Sequence, residues 1–467
     1  MAATTQTGRV VDSIRSRIAA RLLCAGDRLP SVRQSAAGFG VSPATVVEAY
    51  DRLVAEGLIE AVPRSGFFVS PLAGAPHSPS ARAPQRDHAI DPFWVSRQSL
   101  DAAPSSDKPG CGWLPPAWMP QRAVQKALRD VARDGTVLTD YGSTAGDPAL
   151  RRQIALRFAA DGLLCDPEQI LLTGSGTQAI DLICRLLLRP GDTVLLDDPC
   201  YFNYQALMAA HATRLVSVPF TPTGPDPAVF EAVVAAERPR LYITNSSLHN
   251  PTGGSLNLTT THRLPAIAAA HGMVIVEDDI FTDFAPGAPT MAALDGLNGV
   301  IRIGSFSKTL SAALRCGYVA ARPEWIAALS DLQLATGFGG PSPIATAVIG
   351  HVLASGSYRR HMDDLRRKLA AARQDIAQRL AALGIMAEGR PAGGFTLWCR
   401  LPDGLDSAEL ARACLPHDVI LAPGNVFSPS QSASAMVRFN VAQTSARTLA
   451  TLGCVLDLTR SSRDLRA

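Results

Sequence analysis

The stretch Ile303-Gly304-Ser305-Phe306-Ser307-Lys308-Thr309-Leu310 decides how this chain is read. An apolar run, Val300-Ile301-Arg302-Ile303, leads into it, and Arg315 and Gly317-Tyr318 follow the lysine. A lysine amine is a poor nucleophile while protonated. It becomes useful when its surroundings lower its pKa, or when it is held as a Schiff base with an aldehyde. Two serines and a nearby arginine suit a phosphate, because hydroxyls donate to it and guanidinium binds it bidentately. Taken alone, a surface lysine in a serine-rich turn is the plainer reading. The decision therefore passes to the rest of the chain.

Apolar runs at 170–173, 193–196, 241–244, 273–276 and 300–303 read as buried parallel strands, alternating with helical patterns. In such sheets ligands collect at the carboxyl ends of the strands. Gly174-Ser175-Gly176-Thr177-Gln178 opens an apolar helix after the first run, and the N–H groups of a helix start attract anions. Tyr201, after the second, offers a ring for stacking on a planar group, or is a core tyrosine. Asn250, in His249-Asn250-Pro251-Thr252-Gly253, can donate to a phenolate oxygen or simply sit in a turn, and His249 reads as structural. Glu277-Asp278-Asp279 ends the fourth run. A carboxylate there can keep a pyridine nitrogen protonated. It can equally cap a helix or bind a metal.

The chain has 467 residues, too many for one core, with 18% charged and 47% hydrophobic residues. A net charge of +3 does not diagnose a nucleic-acid partner. No apolar run reaches the length of a membrane span. Residues 1–7 lack a basic region followed by an apolar core, so no secretory signal is read and a reducing cytoplasm is expected. Nine scattered cysteines form no CxxC pair, which argues against a zinc site or a disulfide framework.

Residues 8–71 have a different grain. Val10, Val11, Ile14, Ile18 and Leu22 recur at helical spacing. Ser31 caps a second helix over 32–39, which Gly40 stops. Ser42 and Pro43 start a third, running to about Glu56, with Val46, Tyr50 and Leu53 as its buried stripe. Residues 58–62 and 67–69 read as two short strands. Three helices and a hairpin suit a winged helix-turn-helix, whose third helix enters a DNA major groove. A three-helix packing module fits the periodicity equally well. The segments 26–33 (GDRLPSVR), 41–53 (VSPATVVEAYDRL), 56–60 (EGLIE) and 64–69 (RSGFFV) closely resemble the GntR family of bacterial regulators. That resemblance implies DNA contacts at Arg33, Ser42, Thr45, Arg52 and the wing tip, Arg64 to Gly66. Pro43-Ala44 departs from the polar pair of many relatives, and implies poorer or apolar base readout. The module's charges nearly balance, so a dimer on paired half-sites of a double-stranded operator is expected. Residues 72–91, rich in proline and small residues, read as a linker.

Residues 92–467 resemble the fold-type I, aspartate aminotransferase-like family that uses pyridoxal phosphate (PLP). The motifs just quoted carry the resemblance, in this order, along the whole segment. It implies an α/β fold with a mainly parallel sheet and a smaller C-terminal α+β subdomain. It implies that Lys308 forms an aldimine with PLP, Asp278 pairs with the pyridine nitrogen, Asn250 with the ring oxygen, and Tyr201 stacks on the ring. Gly176, Thr177, Gln178, Ser305, Ser307 and Arg315 would hold the phosphate. Arg438 matches the arginine that binds a substrate carboxylate, and Tyr141 a tyrosine that reaches the partner subunit's phosphate. Relatives usually carry a tyrosine shortly after the aspartate, where this chain has Ile280 and Phe281. Whether Asp278 or Asp279 faces the ring rests on register alone.

Together the two parts resemble the MocR family of PLP-dependent regulators. The resemblance implies a head-to-tail homodimer that senses PLP, or an amino compound, at Lys308. Two alternatives stay open: an active aminotransferase with an accessory DNA module, and a regulator whose large domain binds no cofactor. The effector, the operator and the direction of regulation are not read from the sequence.

Overall fold

The computed structural model describes residues 5–20, 22–71, 91–139, 141–402 and 404–464, with side chains as far as 458. The chain divides into two compact units, residues 1–87 and 88–467. The linker expected over 72–91 lies, apart from Asp91, outside the described residues.

In the first unit, α1 (Gln6–Ala19), α2 (Val32–Phe39) and α3 (Pro43–Ala55) precede the hairpin β1 (Ile59–Val62) and β2 (Gly66–Val69). The expected stripe of α1 is buried at Val10, Val11, Ile14 and Ile18. Leu22 is not part of it: the helix ends at Ala19 and Leu22 is 70% exposed. Ser31 forms a capping box with Gln34, and Gly40 closes α2 in the left-handed region at φ 65°. Tyr50 ties α3 to α2, its hydroxyl donating to Pro30 O at 2.9 Å and lying 2.6 Å from Ser35 Oγ.

The second unit is built on an eight-stranded sheet of β3 (Ile170–Thr173), β4 (Thr193–Asp198), β5 (Arg214–Thr221), β6 (Gly224–Pro225), β7 (Leu241–Thr244), β8 (Val274–Asp278), β9 (Val300–Ser305) and β10 (Gly317–Ala320). Their order is β3-β10-β9-β8-β7-β4-β5-β6. The pairs β5/β4, β4/β7, β7/β8 and β8/β9 are parallel. Strand β10 is antiparallel to both β9 and β3. The run 170–173 is therefore a buried strand, as read, but its neighbour is antiparallel rather than parallel. Successive residues serve opposite faces of the sheet. Leu195, Tyr242 and Ile275 belong to one apolar core, while Leu196, Ile243 and Val276 belong to the other. With both faces covered, the chemistry is left to the strand ends.

A four-stranded antiparallel sheet, β11 (Met386–Ala387), β12 (Thr396–Arg400), β14 (Met436–Asn440) and β13 (Ala422–Pro423), forms the C-terminal subdomain. Its register sets Trp398 opposite Arg438. Among the described residues, no helix is long and apolar enough to cross a membrane, and no cluster of side chains could hold a metal ion.

Candidate functional site

Strand β9 is buried throughout and delivers Lys308 just past its end. The turn is pinned to the start of β10: Phe306 N donates to Cys316 O at 3.1 Å, and Ser305 Oγ to the same carbonyl at 3.1 Å. Ser305 Oγ also lies 2.8 Å from Ser307 Oγ. Phe306, two residues before the lysine, belongs to the core, and Tyr358 Oη donates to Oγ1 of Thr309, the residue after it, at 2.7 Å. Lys308 itself is half-buried. Burial, with Arg438 and Arg315 nearby, pulls its amine down to about 8, against the opposing effect of Cys111 and Asp278.

Asp278, the last residue of β8, is held from three directions. Tyr204 Oη donates to its Oδ2 at 2.6 Å, Ile280 N to its Oδ1 at 3.3 Å, and Asn245 Nδ2 to its carbonyl at 2.8 Å. Burial pushes the carboxyl up to about 6, while those three hydrogen bonds restrain the rise. Asp279 has other partners. It bonds Ser247 Oγ and ion-pairs with the fully buried Arg302, whose guanidinium stacks 4.3 Å from the Phe158 ring. Asp278 is the one whose charge acts on Lys308.

Arg438 is fully buried on β14. Its Nη1 donates to Asn250 Oδ1 at 2.8 Å and its Nη2 to Gly110 O at 2.6 Å. Its guanidinium lies 4.7 Å from the Phe427 ring, and Nε has no partner. Burial draws this guanidinium down to about 10. Asn250 spends its oxygen on Arg438, which leaves its Nδ2 to donate elsewhere. The Tyr201 ring packs 4.8 Å from Phe202 and 5.4 Å from Tyr204. Burial raises its hydroxyl pKa; the charges of Arg438 and Asp278 also reach it. His249, read above as structural, stacks on Phe220 at 3.6 Å and lies 2.9 Å from Thr252 Oγ1.

The helix Gly176–Leu187 begins beside the same turn. Ser175 caps it by accepting from Gln178 N at 3.0 Å, and Gln178 Oε1 accepts from Gly174 N at 2.6 Å. Gln178 thus commits its backbone N–H and its Oε1 to building the loop, which leaves its Nε2 to donate elsewhere. Gly176 and Thr177 are left as the first N–H groups of the helix, without intrahelical partners. A Cβ on Gly317 would come within 2.7 Å of Ser175 C and 2.8 Å of Gly176 N. Glycine there lets the helix start close onto Ser305. Arg315 is exposed just before β10, at φ 47°. Tyr141 is 77% exposed and edge-on to Phe338 at 5.2 Å.

Two participants escaped the sequence reading. Tyr204 lies three residues after Tyr201, one turn along the helix Phe202–Ala210, and that spacing was an available signal. Cys111 is buried in Gly110-Cys111-Gly112-Trp113, which wraps Arg438. Asn440 Nδ2 holds this segment at Trp113 O, 2.7 Å, and Gln443 Nε2 reaches Cys111 Sγ at 3.0 Å. Burial raises the thiol pKa against the nearby charges of Arg438 and Lys308. No local signal marked it.

In the first unit, Ser42 Oγ caps α3 at Thr45 N, 3.2 Å, and lies 2.8 Å from Thr45 Oγ1. Arg33 is exposed near the start of α2. Arg52 is exposed but lies 3.4 Å from Glu56, which also pairs with Arg15 at 2.8 Å. At the wing tip Arg64 takes φ 63° and Gly66 φ 107°. Arg28, which the sequence reading did not single out, lies beside Gly66: a Cβ there would be 3.6 Å from its Nε.

The profile of bacterial regulatory proteins of the gntR family matches residues 6–69, and that of aminotransferase class I and II matches residues 116–453. The chain is 30% identical over 450 residues to the uncharacterized HTH-type transcriptional regulator YdcR of Escherichia coli (strain K12), covering 93% of this chain and 94% of that one. It is 29% identical over 446 residues to the probable rhizopine catabolism regulatory protein MocR of Rhizobium meliloti, covering 89% and 85%. Its fold matches the crystal structure of LysN, an alpha-aminoadipate aminotransferase from Thermus thermophilus complexed with N-(5'-phosphopyridoxyl)-L-leucine. That match has a TM-score of 0.70 at 27% identity, over 77% of this chain and 94% of LysN. With a gntR-type DNA-binding module and an aminotransferase class I and II domain in one polypeptide, the chain belongs to the MocR-type transcriptional regulators.

Proposed function

We propose that this regulator binds PLP at Lys308 and changes its hold on operator DNA when PLP, or an amino compound, occupies the site. One observation carries the reading. Lys308 is drawn down to about 8 within a group that holds Asp278 and Arg438 together. The residues suit the cofactor. A free-base fraction at Lys308 can attach an aldehyde. Asp278, at about 6, is largely ionised at neutral pH and can hold a proton on a ring nitrogen. Asn250 Nδ2 can donate to a ring oxygen, and Tyr201 offers its face. Gly176 N, Thr177 N, Ser305, Ser307 and Arg315 can receive a phosphate, with Gln178 shaping the loop. The unpartnered Nε of Arg438 suits a carboxylate of the amino compound.

When bound, PLP supplies an aldehyde for amines and an electron sink. The chain's own part is to place Lys308, keep Asp278 ionised and close Arg438 over a carboxylate. We infer that residues 8–71 bind DNA through Arg33, Ser42, Thr45, Arg52, Arg64 and Gly66. Residues 72–91 would act as a tether and 92–467 as the sensing domain. We further infer a head-to-tail homodimer in which exposed Tyr141 reaches the partner's phosphate. Ile280 and Phe281 stand in the positions where relatives usually carry a tyrosine, so a hydroxyl that would tune the ring oxygen is missing, which favours sensing over catalysis.

The test is operator affinity, on DNA selected from a random duplex library, for PLP-free, PLP-loaded and amine-treated protein. Distinct affinities are expected. Identical affinities in all three states would remove the sensor reading, and multiple-turnover transamination would favour an aminotransferase.

A further inference from the structure

A cavity of about 330 Å³ is walled by sequence neighbours of the Lys308 group and not by the group itself. Asp198 and Pro199 precede Tyr201, residues 252–254 follow Asn250, and Met436 precedes Arg438. The size falls in the range of small-molecule sites. Pro199, Phe220, Trp398 and Met436 give it an apolar lining.

Its charges leave a specific remainder. Glu388 and Arg400 pair with each other at 2.7 Å. Arg390 lines the cavity and pairs with no carboxylate among the described residues. Asp198 accepts from Ser428 Oγ at 2.8 Å and Ser430 N at 3.2 Å, yet meets no cation among them. One cation and one anion without counter-charges therefore share an apolar cavity. A lone carboxylate would answer Arg390 and leave Asp198; a lone amine would do the reverse. A molecule bearing both charges and an apolar body answers both.

We propose that this cavity binds an apolar or aromatic amino acid as the unreacted zwitterion, its carboxylate on Arg390 and its ammonium on Asp198. An occupant here bears on the Lys308 group through one close contact. A Cβ on Gly253 would meet Pro391 Cγ at 2.7 Å, so the segment carrying Arg390 rests on the turn that follows Asn250. The site is independent of PLP binding at Lys308, and either proposal stands if the other falls.

The probe is N,N-dimethyl-L-phenylalanine, a tertiary amine that keeps both charges and cannot condense with an aldehyde. Calorimetric titration of the full chain should give one saturable site per chain. Arg390→Ala and Asp198→Asn should each weaken it about tenfold, the scale of one charge-assisted contact. Arg438→Ala should leave it unchanged, and 3-phenylpropionate, which lacks the ammonium, should bind more weakly. Arg390 is exposed, so its replacement leaves the fold intact. Absence of saturable binding would overturn the proposal. So would binding that survives Arg390→Ala but is lost in Arg438→Ala, or equal affinity for 3-phenylpropionate.

Discussion

Tyr204 Oη donates to Asp278 Oδ2 across 2.6 Å, with both side chains buried. Burial drives the Asp278 carboxyl up, and this hydrogen bond is the largest effect holding it at about 6. Tyr204→Phe removes the donor and leaves Oδ2 without it. A lost buried partner costs about 1–3 kcal/mol. The carboxyl then titrates above about 6, and less of it is ionised at neutral pH. The variant is expected to bind PLP about tenfold more weakly at pH 7, with the deficit shrinking as pH rises. Equilibrium PLP titrations between about pH 5.5 and 8.5 check this; superimposable curves for variant and parent would break the link.

The same carboxyl makes stability depend on pH. Its ordinary value is 3.8 and its folded value about 6, so between them the folded chain holds more protons than the unfolded one. Stability from this group is complete below the lower value and is lost as pH rises through the upper one. The rise corresponds to about 3 kcal/mol. Asp278→Asn should flatten that part of the profile in PLP-free protein. All five tryptophans lie in the second unit, so urea unfolding followed by their fluorescence at pH 4.5–7 reads the effect. An unchanged slope in the variant would show that Asp278 is not its source.

Lys308 has the opposite sign. Its amine is drawn from 10.5 to about 8, so the unfolded chain holds the extra proton between those values. The free-base fraction in the folded protein should grow through about pH 8. The rate at which added PLP becomes attached should grow with it. Borohydride reduction should then fix the cofactor on Lys308, and Lys308→Ala should abolish the label. A label that maps by peptide sequencing to another lysine would sink the assignment.

The parts legible in the sequence were those that local pattern dictates. Residues 170–173 and 241–244 are unbroken apolar runs, and both are strands with those bounds. Ser31 to Gly40 carries its own start and stop signals, and α2 obeys them. What was not legible depends on partners far along the chain. Strand β10 reads as the tail of the lysine loop, because Gly317 and Tyr318 alternate with nothing; it is a strand because β9 and β3 flank it. Asp278 and Asp279 are both buried, so burial could not choose between them. Their partners differ: Arg302, across on β9, holds Asp279, while Tyr204 donates to Asp278. Cys111 comes to Lys308 from almost 200 residues upstream, and only the fold brings it there.

On the DNA side, Arg33 and Arg52 are both exposed but differ in their surroundings. Arg52 lies 3.4 Å from Glu56, whereas Arg33 pairs with no carboxylate among the described residues. A phosphate contact made by Arg52 must compete with Glu56; one made by Arg33 has no such rival. Arg33→Ala should weaken operator binding and lower the log–log salt slope by about 0.9. Arg52→Ala should have a smaller effect on both, and PLP absorbance should stay intact in each. Fluorescence anisotropy at several salt concentrations measures the slopes. Unchanged affinity and slope in both variants would count against these contacts.

Arg438 is where sensing of a carboxylate should be separable from holding the cofactor. Two of its nitrogens are committed to Asn250 Oδ1 and Gly110 O, while Nε is buried and unpartnered. A guanidinium drawn down to about 10 by burial gains from an anion, and an amino acid's carboxylate supplies one. Cofactor attachment at Lys308 does not need that anion. Arg438→Ala should therefore keep PLP, with at most a modest loss from the freed Asn250 oxygen. It should lose the response of operator affinity to amino acids. The usual scale of such a coupling is about 1–3 kcal/mol, roughly 5- to 150-fold in affinity. Phenethylamine, which has an amine and no carboxylate, separates the two roles, because any effect it has on the parent should survive in the variant. Operator affinities are compared for PLP-loaded parent and variant, each with phenylalanine, with phenethylamine and with neither. A phenylalanine response of equal size in both proteins would show that Arg438 does not read the carboxylate.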